Sequence, residues 1–444
     1  MISKKAIKEV LDISLPAVGE ATVYTLMSIF DTMMIGNYGG NKALSIVGLS
    51  TEILYACVNI FIGAGLCIGI ASYVSRSIGA KDTKAAEEYA SIGFLSGICL
   101  AITICYVLFT FSEQILFLGG ARGGILVLGD IFMRITVIAI FFNMMINVIS
   151  SILRSYGNTY TPFKISVLVT LIKLSLDYIL IFGVITPELG ILGSAIASVI
   201  SQFIGFIFIF LYLIFKSKIK VRLKYILSMK MDKVKKLFGL SIPSIMEDGA
   251  FSVSRLLCTF IIMRAGTVAF AANQIANTVE SISFMPGMGF GVAATTLVGI
   301  KIGEKNYKEA KEYTYACALG AVAMMSVFAV IFLLMPSFLV NLFVGEEEIK
   351  LIYIASLCLF IGAFEQPTIA LSSVFAGALK GSGDTKNPFF ISLATSWLIR
   401  LPLIFYFIYI LKLSIIYVWW VTVIQWGIDA ILMFICFERR IEKK

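Results

Sequence analysis

Apolar runs of roughly 20 to 25 residues follow one another along almost the whole chain of 444 residues. A helix of about 20 apolar residues is long enough to cross the roughly 30 Å hydrocarbon core of a bilayer. The composition agrees, because 59% of the residues are hydrophobic and 14% are charged, whereas soluble domains are roughly half apolar and a quarter charged. No run shows the ten-residue alternation of a membrane barrel strand. The sequence therefore predicts an all-α integral membrane protein.

Counting these runs predicts twelve transmembrane helices, at 10–36, 46–75, 88–111, 129–153, 162–184, 190–215, 237–264, 272–300, 312–335, 350–379, 388–411 and 414–437. Lysine and arginine are concentrated in every second connection, above all in the segment 216–236, and at both ends of the chain. Because cytoplasmic loops carry an excess of these residues, we expect both termini in the cytoplasm. The same topology accounts for the net charge of +9, so no nucleic-acid partner is expected.

The two halves of the chain resemble each other at a shift of about 226 residues. LPAVGE recurs as IPSIME, RSIGAKDTKAAEEYA as IKIGEKNYKEAKEYT, and ILRSYGNTYTPFKIS as ALKGSGDTKNPFFIS. We therefore predict an N-lobe of helices 1–6 at 1–215, a basic cytoplasmic linker at 216–236 and a C-lobe of helices 7–12 at 237–444. Six helices per half give both copies the same orientation, and such parallel repeats are typical of alternating-access carriers.

These segments resemble the multidrug and toxic compound extrusion (MATE) family of the MOP flippase superfamily, in its bacterial type. The resemblance rests on P-x-x-x-E and DTMMIG in helix 1, SLDYILIFG in helix 5, the segment AANQIANTVESISFMPGMGFGVAATTLVGIKIG across helix 8, and the repeated LRSYGNTYTP and LKGSGDTKNP. It covers nearly the whole chain. It implies the MATE fold and a multidrug exporter that exchanges bulky, often cationic organic compounds for inward H⁺ or Na⁺, with no other cofactor. It also implies a multi-pass protein of the cell inner membrane, which we expect to be a monomer.

Two acids of the first half are candidates for binding the coupling cation. Asp31 in helix 1 and Asp177 in helix 5 both lie inside apolar runs, where ionisable groups usually have a function. The resemblance implies that they bind Na⁺ or carry protons. Lys173 lies four residues before Asp177 and can neutralise it, whereas family members often have asparagine at this position. The site is therefore either proton-coupled, with Lys173 and Asp177 exchanging partners, or sodium binds at another site. The alternative to a role in coupling is that each acid forms a static salt bridge.

The second half has its own candidates. Glu247 and Glu280 are predicted to take part in coupling, unless they pair internally with Arg255 or Arg400. The polar residues predicted to line the substrate cavities are Asn143, Asn147, Ser198, Asn273, Gln274, Asn277 and Arg255. For Asn143, Asn147 and Ser198, hydrogen bonds that merely join helices are the alternative. Glu365 with Gln366, and Asp429 with Gln425, are interpreted as structural pairs.

Two other classes of function were weighed against export. A flippase for lipid-linked precursors would favour a cationic cavity, whereas the candidates here are mainly acidic. An enzyme is not expected, because the chain has no histidine, no nucleophile elbow and no G-x-x-x-x-G-K-[ST] phosphate loop.

Overall fold

The computed structural model describes residues 2–184, 187–228, 230–343 and 348–442, apart from the side chains of Asn41, Lys42 and Ser45. Residue 229 of the predicted linker and residues 344–347 and 443–444 of the predicted C-lobe lie outside the described residues. All regular elements in the described part of the chain are helices. The predicted all-α class is therefore confirmed.

The first half contains six long helices. They are α1 (Lys4–Gly40), α2 (Ile46–Gly79), α3 (Thr83–Thr110), α4 (Gly124–Arg154), α5 (Tyr160–Phe182) and α6 (Ile191–Phe215). The helices α1 and α2 follow each other directly, with a break at Gly40, whose φ of 56° and ψ of −148° suit only glycine. The middle of α2, Val58–Leu66, is π-helical, and a short helix, Ser112–Leu118, precedes α4.

The second half begins with a short helix, Leu223–Leu227, followed by the long helices. They are α7 (Met231–Met263), α8 (Thr267–Ser281), α9 (Phe284–Gly303), α10 (Tyr307–Leu334), α11 (Ile349–Gly381), α12 (Lys386–Ile410) and α13 (Ile416–Glu442). A short helix, Pro336–Asn341, lies between α10 and α11. Two segments of α12, Thr395–Arg400 and Tyr406–Ile410, are π-helical.

Among the described residues, eleven helices are long and apolar enough to cross a membrane. The predicted seventh span corresponds to α7, whose 33 residues are long enough but which carries charged groups such as Lys233, Glu247 and Asp248. The predicted eighth span is not one helix, because the chain breaks at 282–283 between α8 and α9. Pro286 lies in the first turn of α9, where the missing N–H is tolerated.

The chain forms two compact units, Gly19–Ser241 and Met1–Val18 with Ile242–Lys444. Each unit therefore includes the start of a helix from the other half of the sequence. Ala6, Val10 and Ile13 of α1 are buried in the core of the second unit, whereas Leu237 of α7 is buried in the core of the first. The predicted boundaries at 215 and 237 do not coincide with these units, because apolar packing divides α1 and α7 internally.

The sequence repeat has a structural counterpart at the turns. Gly157 and Gly383 have φ values of 86° and 83°, in the left-handed region that glycine favours. In both turns the next side chain caps the following helix: Asn158 accepts a hydrogen bond from the Thr161 N–H, and Asp384 accepts one from the Asn387 N–H, each at 3.1 Å. The repeat therefore preserves backbone conformation and capping as well as residue type.

Candidate functional site

A buried lysine in the first unit lies between two carboxylates. Lys173 Nζ is 2.7 Å from Asp177 Oδ2 and 3.0 Å from Asp31 Oδ1. Lys173 and Asp177 are one turn apart on α5, as the spacing predicts, and Asp31 reaches them from α1. Lys173 is only 3% exposed and Asp177 is fully buried. The structure thus brings together the three residues predicted for the N-lobe cation site.

A serine of α6 completes this cluster. Ser194 Oγ donates a hydrogen bond to Asp31 Oδ1 at 2.9 Å and accepts one from Lys173 Nζ at 3.3 Å. Asp177 Oδ1 is buried and has no hydrogen-bond partner among the described residues. Sequence reasoning missed Ser194, although it lies exactly one turn before the predicted Ser198 and shares its helix face.

A cavity with a volume of about 30 Å³ adjoins the cluster. Its lining residues are Asp31, Thr51, Tyr55, Phe132, Thr136, Ala139, Ile140, Asn143, Lys173, Ser194, Ser198 and Gln202. A water molecule needs at least about 10–15 Å³ of such volume, whereas drug-sized ligands occupy about 300–1,000 Å³. In this conformation the cavity therefore fits a water molecule or a small cation and is far too small for a bulky organic compound.

The polar residues predicted for the N-lobe cavity fall into two groups. Asn143 and Ser198 line the cavity, as predicted. Asn147 instead donates to Asn143, at 3.0 Å to the backbone O and 3.1 Å to Oδ1. Gln202, which sequence reasoning missed, accepts a hydrogen bond from Asn143 Nδ2 at 3.4 Å. Asn147 therefore positions a residue of the cavity wall and is not itself part of that wall.

In the second unit, Glu247 is paired with a residue that sequence reasoning did not consider. Lys380 Nζ on α11 lies 3.0 Å from Glu247 Oε1 on α7. The alternative partner Arg255 is exposed and, within the described residues, forms no ion pair. The Oε2 atom of Glu247 is buried and has no hydrogen-bond partner among the described residues. Glu247 thus has one oxygen engaged and one free.

Glu280 lies in a buried cluster with a second carboxyl group. The carboxyl group of Glu365 on α11 lies close enough to that of Glu280 on α8 for the two to interact. Gln366 Nε2 donates to Glu280 Oε1 at 2.9 Å. Arg400 is close enough to interact electrostatically with both acids. Two buried carboxyl groups in contact cannot both be charged at low cost, so this cluster can hold a proton between them. Glu365 and Gln366, interpreted from sequence as a structural pair, therefore belong to the environment of Glu280.

The other polar residues predicted on α8 lie on two faces of the helix. Asn273 is buried, whereas Gln274 and Asn277 are exposed. Asn277 Nδ2 donates to the backbone O of Asn273 at 2.8 Å. The role of these residues in substrate binding stays a prediction. Asp429 on α13 accepts hydrogen bonds from Ser372 of α11 and Thr395 of α12. Its structural pairing with Gln425 stays a prediction.

Comparison with known proteins adds independent findings. The MatE family model matches residues 16–179 and 243–406 of the chain. The chain is 29% identical over 413 residues to the "Probable multidrug resistance protein NorM" of Thermotoga maritima, covering 93% of this chain and 88% of that protein. It is 24% identical to the "Uncharacterized transporter YisQ" of Bacillus subtilis, covering 95% and 92%.

The fold also matches a solved structure. A MOP superfamily transporter from Pyrococcus furiosus superimposes with a TM-score of 0.91, at 22% identity, covering 99% of this chain and 97% of that one. At this level of identity the match shows the fold alone. The two segments matched by the family model each begin at a proline, Pro16 or Pro243, and thus follow the internal repeat.

Proposed function

The chain belongs to the MatE family of membrane transporters, and from that premise we propose that it exports drug-like, often cationic organic compounds in exchange for inward protons, by alternating access. Relatives named as multidrug resistance proteins support the substrate class. The exchange mechanism and the coupling ion are our inference from the site. The observation that carries them is the position of Lys173 between Asp31 and Asp177.

The electrostatics of this cluster favour a proton over sodium. Sodium prefers several oxygen ligands, but here an ammonium group already lies within 3.0 Å of both carboxylates. A sodium ion would have to displace this fixed positive charge or bind beside it, and either arrangement is unfavourable in a site of low dielectric constant. A proton can instead neutralise one carboxylate and release the ammonium group to the other. Sodium ligation by Asp31 and Asp177 is therefore the less favourable alternative.

The three charged groups suggest a simple exchange of partners. With both acids ionised, Lys173 is shared, and Ser194 donates to Asp31. When one of the two acids takes up a proton, its attraction for the ammonium group falls, and Lys173 retains the other acid as its only charged partner. Loss of that proton restores the shared arrangement. Such a change in partners on α1 and α5 can favour one of two packings of the unit, as coupling to alternating access requires.

The volume of the cavity separates the coupling site from the site for the organic compound. At about 30 Å³ it holds a water molecule or a small cation, but no bulky substrate. Asn143 and Ser198 would contact a substrate only after the cavity widens. Substrate binding by these residues, and by Asn273, Gln274, Asn277 and Arg255 of the second unit, remains part of the proposal.

The experiment is uptake of a fluorescent organic cation into proteoliposomes containing the full chain, with a proton gradient and a sodium gradient imposed separately. We expect transport to follow the proton gradient and to be lost in Asp31→Asn. Asp12→Asn is the matched control, because Asp12 lies on the same helix and is exposed. Transport driven by sodium alone would overturn proton coupling. No response to either gradient would overturn the exporter proposal in favour of a lipid-precursor flippase.

A further inference from the structure

A cavity of about 800 Å³ lies at one end of the Ile242–Lys444 part of the chain. It is formed where α7 ends, α8 and α11 begin, and α12 connects to α13. Its volume falls in the range of about 300–1,000 Å³ that is typical of small-molecule sites. The coupling and substrate residues proposed above do not line it.

Three basic side chains from three different segments line this cavity. Arg264 follows α7, Lys350 lies in the first turn of α11, and Lys412 lies between α12 and α13. Within the described part of the chain, none of the three forms an ion pair, and no carboxylate of a described residue lines the cavity. Three like charges that share a cavity repel one another and attract an anion.

The backbone adds further hydrogen-bond donors at the same place. The first turn of α8, Thr267–Ala269, lines the cavity, and its N-cap residue Gly266 provides no side-chain cap. The first amides of a helix lack partners within the helix and favour an anion. The backbone amides and the three basic side chains thus both favour an anionic ligand.

Much of the rest of the lining is apolar, and the cavity lies at the level of the membrane surface. Ile354, Ile408 and Ile415 form part of the wall. The candidate membrane spans α11 and α13 begin here and α12 ends here, which places the cavity at the interface between bilayer and water. Tyr409 also lines the cavity, and tyrosine is enriched at this level of membrane proteins. A ligand that complements both the basic and the apolar parts of the lining has an anionic head and an apolar tail.

We propose that this cavity binds the phosphate headgroup of an anionic phospholipid from the surrounding bilayer. Basic pockets between membrane helices bind such headgroups at the cytoplasmic face of membrane proteins, and the same charge complementarity applies at this end of the helices. A soluble phosphate ester shares the headgroup chemistry, but it would leave the exposed side chains of Val268 and Tyr409 in contact with water. The cavity is therefore a lipid site, separate from the path of the transported compound.

The test uses the full chain in detergent, titrated with phosphatidylglycerol and followed by native mass spectrometry. The variant combines Arg264→Gln, Lys350→Gln and Lys412→Gln. A basic residue near an anionic headgroup contributes roughly fivefold in affinity, so the triple variant should bind phosphatidylglycerol roughly 100-fold more weakly. The control combines Lys4→Gln, Lys84→Gln and Lys308→Gln, which removes the same charge from exposed positions elsewhere. It should bind within about twofold of the native chain.

Three outcomes would overturn the proposal. Equal losses in the pocket variant and the control would mean that total charge, and not this cavity, attracts the lipid. Equally tight binding of zwitterionic phosphatidylethanolamine would show that the three basic residues do not discriminate between anionic and zwitterionic headgroups. Displacement of phosphatidylglycerol by equimolar glycerol 3-phosphate would identify a soluble anion as the occupant. If the triple variant does not elute as a single species, Lys350→Gln alone replaces it, with an expected loss of roughly fivefold.

Discussion

Arg154 Nη2 lies 2.6 Å from Glu20 Oε1, and this pair joins α4 to α1 within the first unit. The second half of the chain repeats the contact, because Lys380 and Glu247 occupy the positions equivalent to Arg154 and Glu20. Both pairs are largely buried, with at most 19% of any of the four side chains exposed. The internal repeat therefore preserves an ion pair as well as an arrangement of helices.

We expect that breaking the Glu20–Arg154 pair destabilises the protein strongly. Glu20→Gln leaves the Arg154 guanidinium buried without its counter-charge, and removing one partner of a buried pair costs about 3–5 kcal/mol. Removing both charges, in Glu20→Gln with Arg154→Gln, should recover part of that loss. The measurement is the unfolding midpoint of the single and double variants in detergent, with Glu52→Gln as an exposed control on α2. Additive effects of the two single changes would contradict a direct pair.

The same cycle on Glu247 and Lys380 tests the predicted coupling role of Glu247. If the pair is only structural, Glu247→Gln with Lys380→Gln should restore stability and leave transport close to that of the native chain. If Glu247 also carries a proton, transport stays low even when stability returns. Glu247 has the free Oε2 atom that such a role needs. Stability and transport must therefore be measured on the same preparations.

Three turn residues outside the helices have left-handed backbone conformations that can be tested by substitution. Gly157 has a φ of 86°, so Gly157→Ala should lower stability by about 1–2 kcal/mol. Lys305 has a φ of 60° although it is not glycine, so Lys305→Gly should raise stability by about 1 kcal/mol. Lys81, its equivalent in the first half, has a φ of 58° and should respond in the same way. Unfolding midpoints in detergent show whether each substitution raises or lowers stability. A stabilising effect of Gly157→Ala would contradict the assignment of a strained left-handed conformation to that position.

Much of this fold could be predicted from sequence because the signals are local or repeated. Apolar run length identifies membrane helices, and the repeat gives two equivalent halves. The spacing of Lys173 and Asp177 also predicts their contact, since residues four apart share a helix face. The break between α8 and α9 is not visible in the apolar run at 272–300, because run length does not show where a helix is interrupted.

Contacts between helices were the part that sequence could not supply. Lys380 was not considered as the partner of Glu247, since no spacing rule relates residues on different helices. The repeat makes Lys380 equivalent to Arg154, but it predicts the Glu247–Lys380 pair only when the Glu20–Arg154 contact is known. Likewise, Glu365 was assigned to a structural pair because its proximity to Glu280 depends on the packing of α8 against α11.

The contact between Glu280 and Glu365 makes a prediction for the second unit. Glu280→Gln removes a charge from a buried acid pair while keeping the size of the group and its capacity to hydrogen-bond. The variant should therefore fold well and be at least as stable as the native chain. If this pair contributes protons to the cycle, the proton-driven rate should fall by about 100-fold, the low end of the effect expected from losing one proton-transfer group. Glu442→Gln is the matched control, because Glu442 lies on α13 of the same unit and is exposed. An unchanged rate and pH profile in Glu280→Gln would remove Glu280 from the set of coupling residues.

The sharpest prediction concerns Lys173. Lys173→Asn removes the ammonium group that lies between Asp31 and Asp177 and adds an amide oxygen beside two carboxylates. Two acids and an amide oxygen form a set of ligands suited to a small cation, so we expect proton-driven transport to fall at least about tenfold and sodium to begin to stimulate uptake. Lys164→Asn is the matched control, because Lys164 lies on the same helix but is exposed. The measurement is the proteoliposome uptake assay with each gradient imposed alone. Unchanged transport with unchanged ion dependence would mean that the position of Lys173 between the two acids is structural, and the proposed exchange of partners would then have to be abandoned.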